Sequence, residues 1–272
     1  MQNKKRWIRI SLRTFLVLIT CAAIGVAGFA NYARTRKAAF AAVRQAGGEV
    51  RMAYGEPSQL EKWFGPEVFG AVAEIDMRKG STDNELLKHI GKLSELRRLN
   101  LSSVSIDDEG LRLIAHLPLE ELWLQRTQVT DSSAETLSKM KTLYMLSLNA
   151  TSVTDAFLEQ LQALPNLQVL GLRGSQVSGV GMKSLARHPN LMKLDVYQTQ
   201  VDDSGVGHLV ACQSLTGVGL SMTKVTNAVF EHLDKLPNLT DADLSANDLV
   251  TTEAVLAFEK SHPKCDIEWY GK

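Results

Sequence analysis

Cysteine is scarce in this chain. There are three in 272 residues, Cys21, Cys212 and Cys265, too few for a disulfide framework. Cys212 and Cys265 enter strands two repeat units apart, about 10 Å at ~4.8 Å per strand, so both are expected as buried free thiols. Catalytic signatures are missing too: no P-loop, no G-x-S-x-G elbow, no H-E-x-x-H and no spaced cysteine pairs. No catalytic residue, no metal site and no cofactor is therefore expected. Acidic residues are absent from the first 48 positions, which hold nine of the 30 lysines and arginines. The rest of the chain sets 21 basic against 30 acidic residues, so a formal charge of zero conceals an acidic body. An acidic body argues against nucleic acid as a partner.

What the sequence does contain is a repeat. An L-x-L core recurs at Leu99/Leu101, Leu122/Leu124, Leu146/Leu148, Leu170/Leu172, Leu194/Val196 and Val218/Leu220, with weaker copies at Ile75/Met77 and Ala242/Leu244. The step is 24 residues except for one of 23, a deletion at Pro118–Leu119. A short polar column follows (Thr127, Thr151, Ser175, Thr199, Thr223, Asn247), and then an aliphatic one (Val129, Val153, Val177, Val201, Val225, Leu249). Alternation makes L-x-L a strand with its leucines inward. The polar column falls where the chain turns off that strand and can bond buried turn backbone. T-D pairs such as Thr130-Asp131 and Thr154-Asp155 then cap short helices. A fixed period of this kind is the leucine-rich-repeat signature. Asparagine, usual at the polar column, occurs only at Asn247, and a hydroxyl bonds fewer backbone groups than an amide does.

The ends differ. Residues 1–13 are basic, and Thr14–Ala33 carries no charge over twenty residues, with Trp7 and Tyr32 flanking it. Such a run spans a bilayer as a helix, and the basic flank favours an uncleaved anchor with an exported body. A cleaved signal peptide, with Gly28-Phe29-Ala30 as the site, is the competing reading. A lipoprotein reading at Cys21 is poor, because Thr20 precedes it and the apolar run continues beyond it. Residues 34–70 read as a juxtamembrane helix ended by Gly47-Gly48, an edge strand and a capping-box helix from Ser58. Trp63, Phe64, Val68 and Phe69 would cover the first repeat. Residues 71–250 hold the repeats, and residues 251–272 form a closing helix and strand.

The chain thus resembles bacterial leucine-rich-repeat proteins with an N-terminal membrane anchor. The resemblance rests on the S-L-R-T-F-L-V-L-I-T entry, the G-G-E-V-R strand, the L-x-L-x-x-T-x-V-T-D repeats and the terminal P-K-C-D-I-E-W. It implies an α/β horseshoe solenoid, ribonuclease-inhibitor-like, with parallel strands on the concave face and short helices on the convex face. It also implies a binding role and supplies no catalytic residues.

Binding is expected on the concave face, at the outward positions of the middle strands. The candidates are Trp123, Gln125, Asn149, Arg173 and Tyr197. Trp, Tyr and Arg are enriched at binding hot spots, although Tyr197 stacked on Arg173 with no ligand would look the same in sequence. His208 and His232, 24 apart, read as solvated helix residues rather than metal ligands. The expected function is a non-catalytic protein-interaction module on a membrane, single-pass, with the repeats outside the cytoplasm. The alternative is a structural envelope component binding through its acidic convex or lateral surface.

Overall fold

The computed structural model describes residues 12–53 and 58–270. One sheet runs in chain order through β1 (Glu49–Met52), β2 (Val72–Asp76), β3 (Arg98–Asn100), β4 (Glu121–Trp123), β5 (Met145–Ser147), β6 (Val169–Gly171), β7 (Lys193–Asp195), β8 (Gly217–Gly219), β9 (Asp241–Asp243) and β10 (Asp266–Glu268). Only β1 is antiparallel to its neighbour. The register places Leu99, Leu122, Leu146, Leu170, Leu194, Val218 and Ala242 side by side, each at most 3% exposed. Eight strands belong to the repeats; β1 and β10 are the expected edge and closing strands. No single unit could bury its leucines, so the core is continuous from end to end.

The valine column is buried from Val129 to Val225, but its expected last member is not: Leu249 is 65% exposed and Val250 takes its place at 4%. The last unit carries one extra residue before its helix, so Thr251 caps Thr252–Ser261 and the register slips by one.

Helix capping follows the T-D pairs. Thr154 Oγ1, for instance, accepts from Ala156 N at 3.1 Å. The aspartate of each pair has a second task, accepting from the following unit. Asp108 takes Thr130 N and Oγ1 at 2.9 and 2.5 Å, Asp131 takes Thr154 at 2.8 and 2.7 Å, and Asp155 takes Ser178 at 2.7 and 2.6 Å. The ladder skips one step at Gly179, which has no side chain to offer Asp202, and resumes from Asp203 to Thr226. At the skip, helices Gly179–Met182 and Asp203–Leu209 touch backbone to backbone: a Cβ on Gly205 would stand 2.5 Å from Gly179 Cα.

The N-terminal end departs from expectation. The uncharged run and the helix expected after it form one continuous helix, α1 (Leu12–Gln45), because no proline or glycine interrupts the alanine-rich stretch between Gly28 and Gly47. It ends at Gly47, whose φ is 84°. Its last turns bury Ala39, Phe40 and Val43 completely against the first repeat. The ring of Phe29 stacks on Phe69 with centroids 5.2 Å apart, so the last turn of the expected span belongs to the solenoid cap. Arg36 clamps this junction. It is 3% exposed, donates to the carbonyls of Glu67 and Gly70 and to Tyr32 Oη, and pairs with Glu95. Helices α2 (Gln59–Phe64) and α3 (Pro66–Phe69) complete the cap, α2 through the expected Ser58/Glu61 capping box. Val68 is buried, while the side chains of Trp63 and Phe64 lie outside the described residues. Among the described residues, no helix is long and apolar enough to cross a membrane. Trp7 and the side chains that open the expected span fall outside them.

Candidate functional site: the concave face and its turn rim

Outward-facing strand residues form columns about 4.8 Å apart. Trp123, Ser147, Gly171, Asp195 and Gly219 are neighbours in register. Two residues beyond the first four lie Gln125, Asn149, Arg173 and Tyr197. The five candidates therefore share one surface. A hollow of about 530 Å³ is lined by Trp123, Gln125, Asn149 and Arg173 and continues over Gly217 and Gly219. A second, of about 510 Å³, is lined by Gln125, Asn149, Arg173 and Tyr197.

Several of these side chains are engaged within the fold. Gln125 Oε1 accepts from Ser147 Oγ at 2.8 Å, and Asn149 Oδ1 accepts from Arg173 N at 2.9 Å. Arg173 pairs with Asp195 and lies 5.6 Å from the Tyr197 ring centroid; Tyr197 Oη contacts Met222 Sδ at 3.0 Å. Beyond them Lys193 Nζ reaches across the bare β8 to Asp241 at 2.7 Å. Toward the N-terminal end, hydrogen bonds from Arg78 hold the Asp76 carboxyl below its ordinary range, although partial burial works against that.

The rim above the strands is a row of left-handed turns. Ser103, Arg126, Ala150, Gln198, Met222 and Ala246 all have φ between 53° and 63°, with only Gly174 in this column a glycine. The next residue closes each turn. The hydroxyls of Thr127, Thr151, Ser175, Thr199 and Thr223 donate to the carbonyl three residues back at 2.6–2.7 Å. Asn247 does more, donating to Leu244 O at 2.9 Å and Leu220 O at 2.8 Å and so tying two units together. The expected difference between hydroxyl and amide is borne out at this position.

Other reactive groups are occupied structurally. Burial pushes the Cys212 and Cys265 thiols up to about 11, far from thiolate chemistry. Ser261 Oγ, His262 Nδ1 and Asp234 form a chain with contacts of 2.9 and 3.2 Å. The serine hydroxyl, however, also bonds Phe258 O at 2.9 Å at the end of its helix, where the negative dipole opposes an oxyanion. His208 is exposed and His232 half-buried, and no group of three or more potential metal ligands occurs among the described residues. Sequence reasoning missed His188, which fills a core position equivalent to Leu164 and Cys212. It is 1% exposed, and its Nδ1 accepts from Leu164 N at 3.3 Å. The signal was available, since the 24-residue step puts it in the leucine column.

Residues 93–115 match the family model described as Leucine Rich repeat. The fold is that of a leucine-rich-repeat solenoid. A solved leucine-rich-repeat protein of Leptospira interrogans is similar in structure, with a TM-score of 0.50 at 22% identity over 66% of this chain and 44% of that one. This chain therefore spans less than half the length of that protein, and the likeness speaks for the fold alone. No curated protein matches the sequence. Leucine-rich-repeat domains generally mediate protein–protein interaction.

Proposed function

We propose that this leucine-rich-repeat protein is a membrane-tethered protein-interaction module that binds through its concave face. The observation that carries this is the convergence of Trp123, Gln125, Asn149, Arg173 and Tyr197 on one surface with two adjoining hollows. A half-buried tryptophan and an arginine–tyrosine pair supply the large, rigid groups that dominate protein interfaces. The tether rests on the uncharged run of residues 14–33 and on exposed Ile19, Ile24 and Val26 in the N-terminal part of α1. The basic residues before the run favour an orientation with the repeats outside the cytoplasm.

Capture from native membranes tests the binding face. The full chain in detergent is compared with a Trp123→Ala, Arg173→Glu, Tyr197→Ala variant shown by circular dichroism to be folded. Loss of the captured partner supports the concave face. Retention by both moves binding to the acidic convex or lateral surface, the envelope-component reading. The tether is tested separately: the chain should stay with membranes through alkaline carbonate extraction, and recovery in the soluble fraction would refute it.

A further inference from the structure

The second hollow differs in charge from the body around it. Although acidic residues outnumber basic ones beyond residue 48, its lining has no carboxylate: Arg78, Arg126 and Arg173 share it with Gln125, Asn149 and Gln198, among others. We propose that this rim groove binds an acidic segment of a partner protein, its aspartate or glutamate carboxylates seated on the three arginines. The proposal rests on the concave-face reading and gives the partner its chemistry.

Three features support it. First, donors remain free. Arg78 commits Nε and Nη2 to Asp76, and Arg173 commits Nε to Asp195, so each keeps guanidinium N–H groups for a ligand. The Arg126 guanidinium makes no hydrogen bond or ion pair among the described residues, and the residue is exposed. A guanidinium matches a carboxylate with two parallel N–H donors. Second, the arginines stand on every other unit, following β2, β4 and β6. That is about 10 Å between neighbours along the sheet, and a polyproline-II segment returns every third side chain to the same face about 9 Å further on. Acidic residues three apart on such a segment crossing the strands would meet successive arginines. Third, the chain beyond residue 48 carries a net negative charge, so a groove without carboxylates is electrostatically distinct from it and would steer such a segment into place.

Arg126 offers a clean probe because its φ is 56°. Arg126→Gly deletes the side chain at a position where glycine is the better backbone residue. Stability and binding should therefore move in opposite directions. The experiment is fluorescence anisotropy of a fluorescein-labelled (Glu-Gly-Ser)₃ peptide against the full chain in neutral detergent at physiological salt. Wild type should bind; Arg126→Gly should weaken binding about tenfold, the loss of one central charged contact, while melting at a higher temperature. Ala150→Gly, in the same groove but without a charged group, should raise stability and leave binding unchanged. Lys224→Gln removes equal charge outside the groove and should also leave it unchanged. A peptide of the same composition with its three glutamates contiguous should bind several-fold more weakly. No binding by wild type, equal binding by Arg126→Gly, an equal loss in Lys224→Gln, or equal affinity for the contiguous peptide would each overturn the proposal. In membrane capture, a partner lost by the Trp123/Arg173/Tyr197 variant but kept by Arg126→Gly would sink the acidic-segment inference and leave the concave face standing. A partner kept by both would sink the concave-face reading itself.

Discussion

At the scale of single residues, the left-handed turns and one histidine hold most of the testable energy. Ala150 holds a φ of 53° that costs a side-chain-bearing residue about 1 kcal/mol or more. Ala150→Gly is expected to stabilise the chain by about 0.5–1 kcal/mol, the relief of strain less the extra entropy of an unfolded glycine, measurable by chemical denaturation. His188 works in the opposite direction. Burial lowers its pKa, and Arg187 and Lys141 nearby add to the effect. Below about pH 6.5 the unfolded histidine gains a proton that the folded one refuses. Stability is therefore full above that pH and falls as the pH drops. The melting temperature of wild type should fall more steeply between pH 7 and pH 5 than that of His188→Leu. The leucine variant should be slightly weaker at neutral pH, because Leu164 N–H loses its acceptor. Parallel pH profiles would refute the assignment.

At the scale of elements, the aspartate ladder explains how short helices are held in line. Helices of four to seven residues have little stability alone, so capping and inter-unit bonds matter more than propensity. Asp155→Ala removes two acceptor contacts to Ser178 and should cost about 2 kcal/mol. Asp202→Ala, which removes only its own helix cap to Gly205 N, should cost about 1 kcal/mol. Equal losses by urea denaturation would show that the inter-unit contacts contribute nothing. Much of this layer was legible in sequence. The L-x-L strands, the hydroxyl turn, the T-D caps and the Ser58 box all stand where spacing puts them, because each is a local preference, and all but the last are repeated many times. The ladder itself was not legible, since it joins residues 22–23 apart and each aspartate already had a local reason to be there. Leu249 was misplaced for a related reason: a repeat count cannot see a one-residue insertion at the end of an array, where no later unit restores the phase.

At the scale of the molecule, the N-terminal end was the least legible part. A hydrophobic run beside basic residues reads as an anchor with its flank, and Arg36 counted only as one more positive charge. Its clamp on Tyr32, Glu67, Gly70 and Glu95 depends on α3 and the first repeat arriving from far along the chain. The consequence concerns where the domain begins. A chain starting at residue 46 lacks Arg36, Ala39, Phe40 and Val43 and opens the core, so it should aggregate and bind hydrophobic dyes. One starting at residue 28 should unfold cooperatively. Phe40→Ala alone should cost about 3–5 kcal/mol, read from the denaturation midpoint. Cooperative unfolding of the shorter chain would show that α1 is dispensable. The candidate site was visible as a set of columns, but its charge was not: the rim arginines of alternate units come together only when the turns are stacked.

The step missing from the ladder at Gly179 and Asp202 falls between β6 and β7, inside the span from Arg78 to Gln198. There the coils are joined instead by glycine packed on glycine and, at the rim, by Arg173 set against Asp195 and Tyr197. A side chain at Gly179 or Gly205 would push the two coils apart, so the spacing of the horseshoe at mid-array is set by residues that have no side chain.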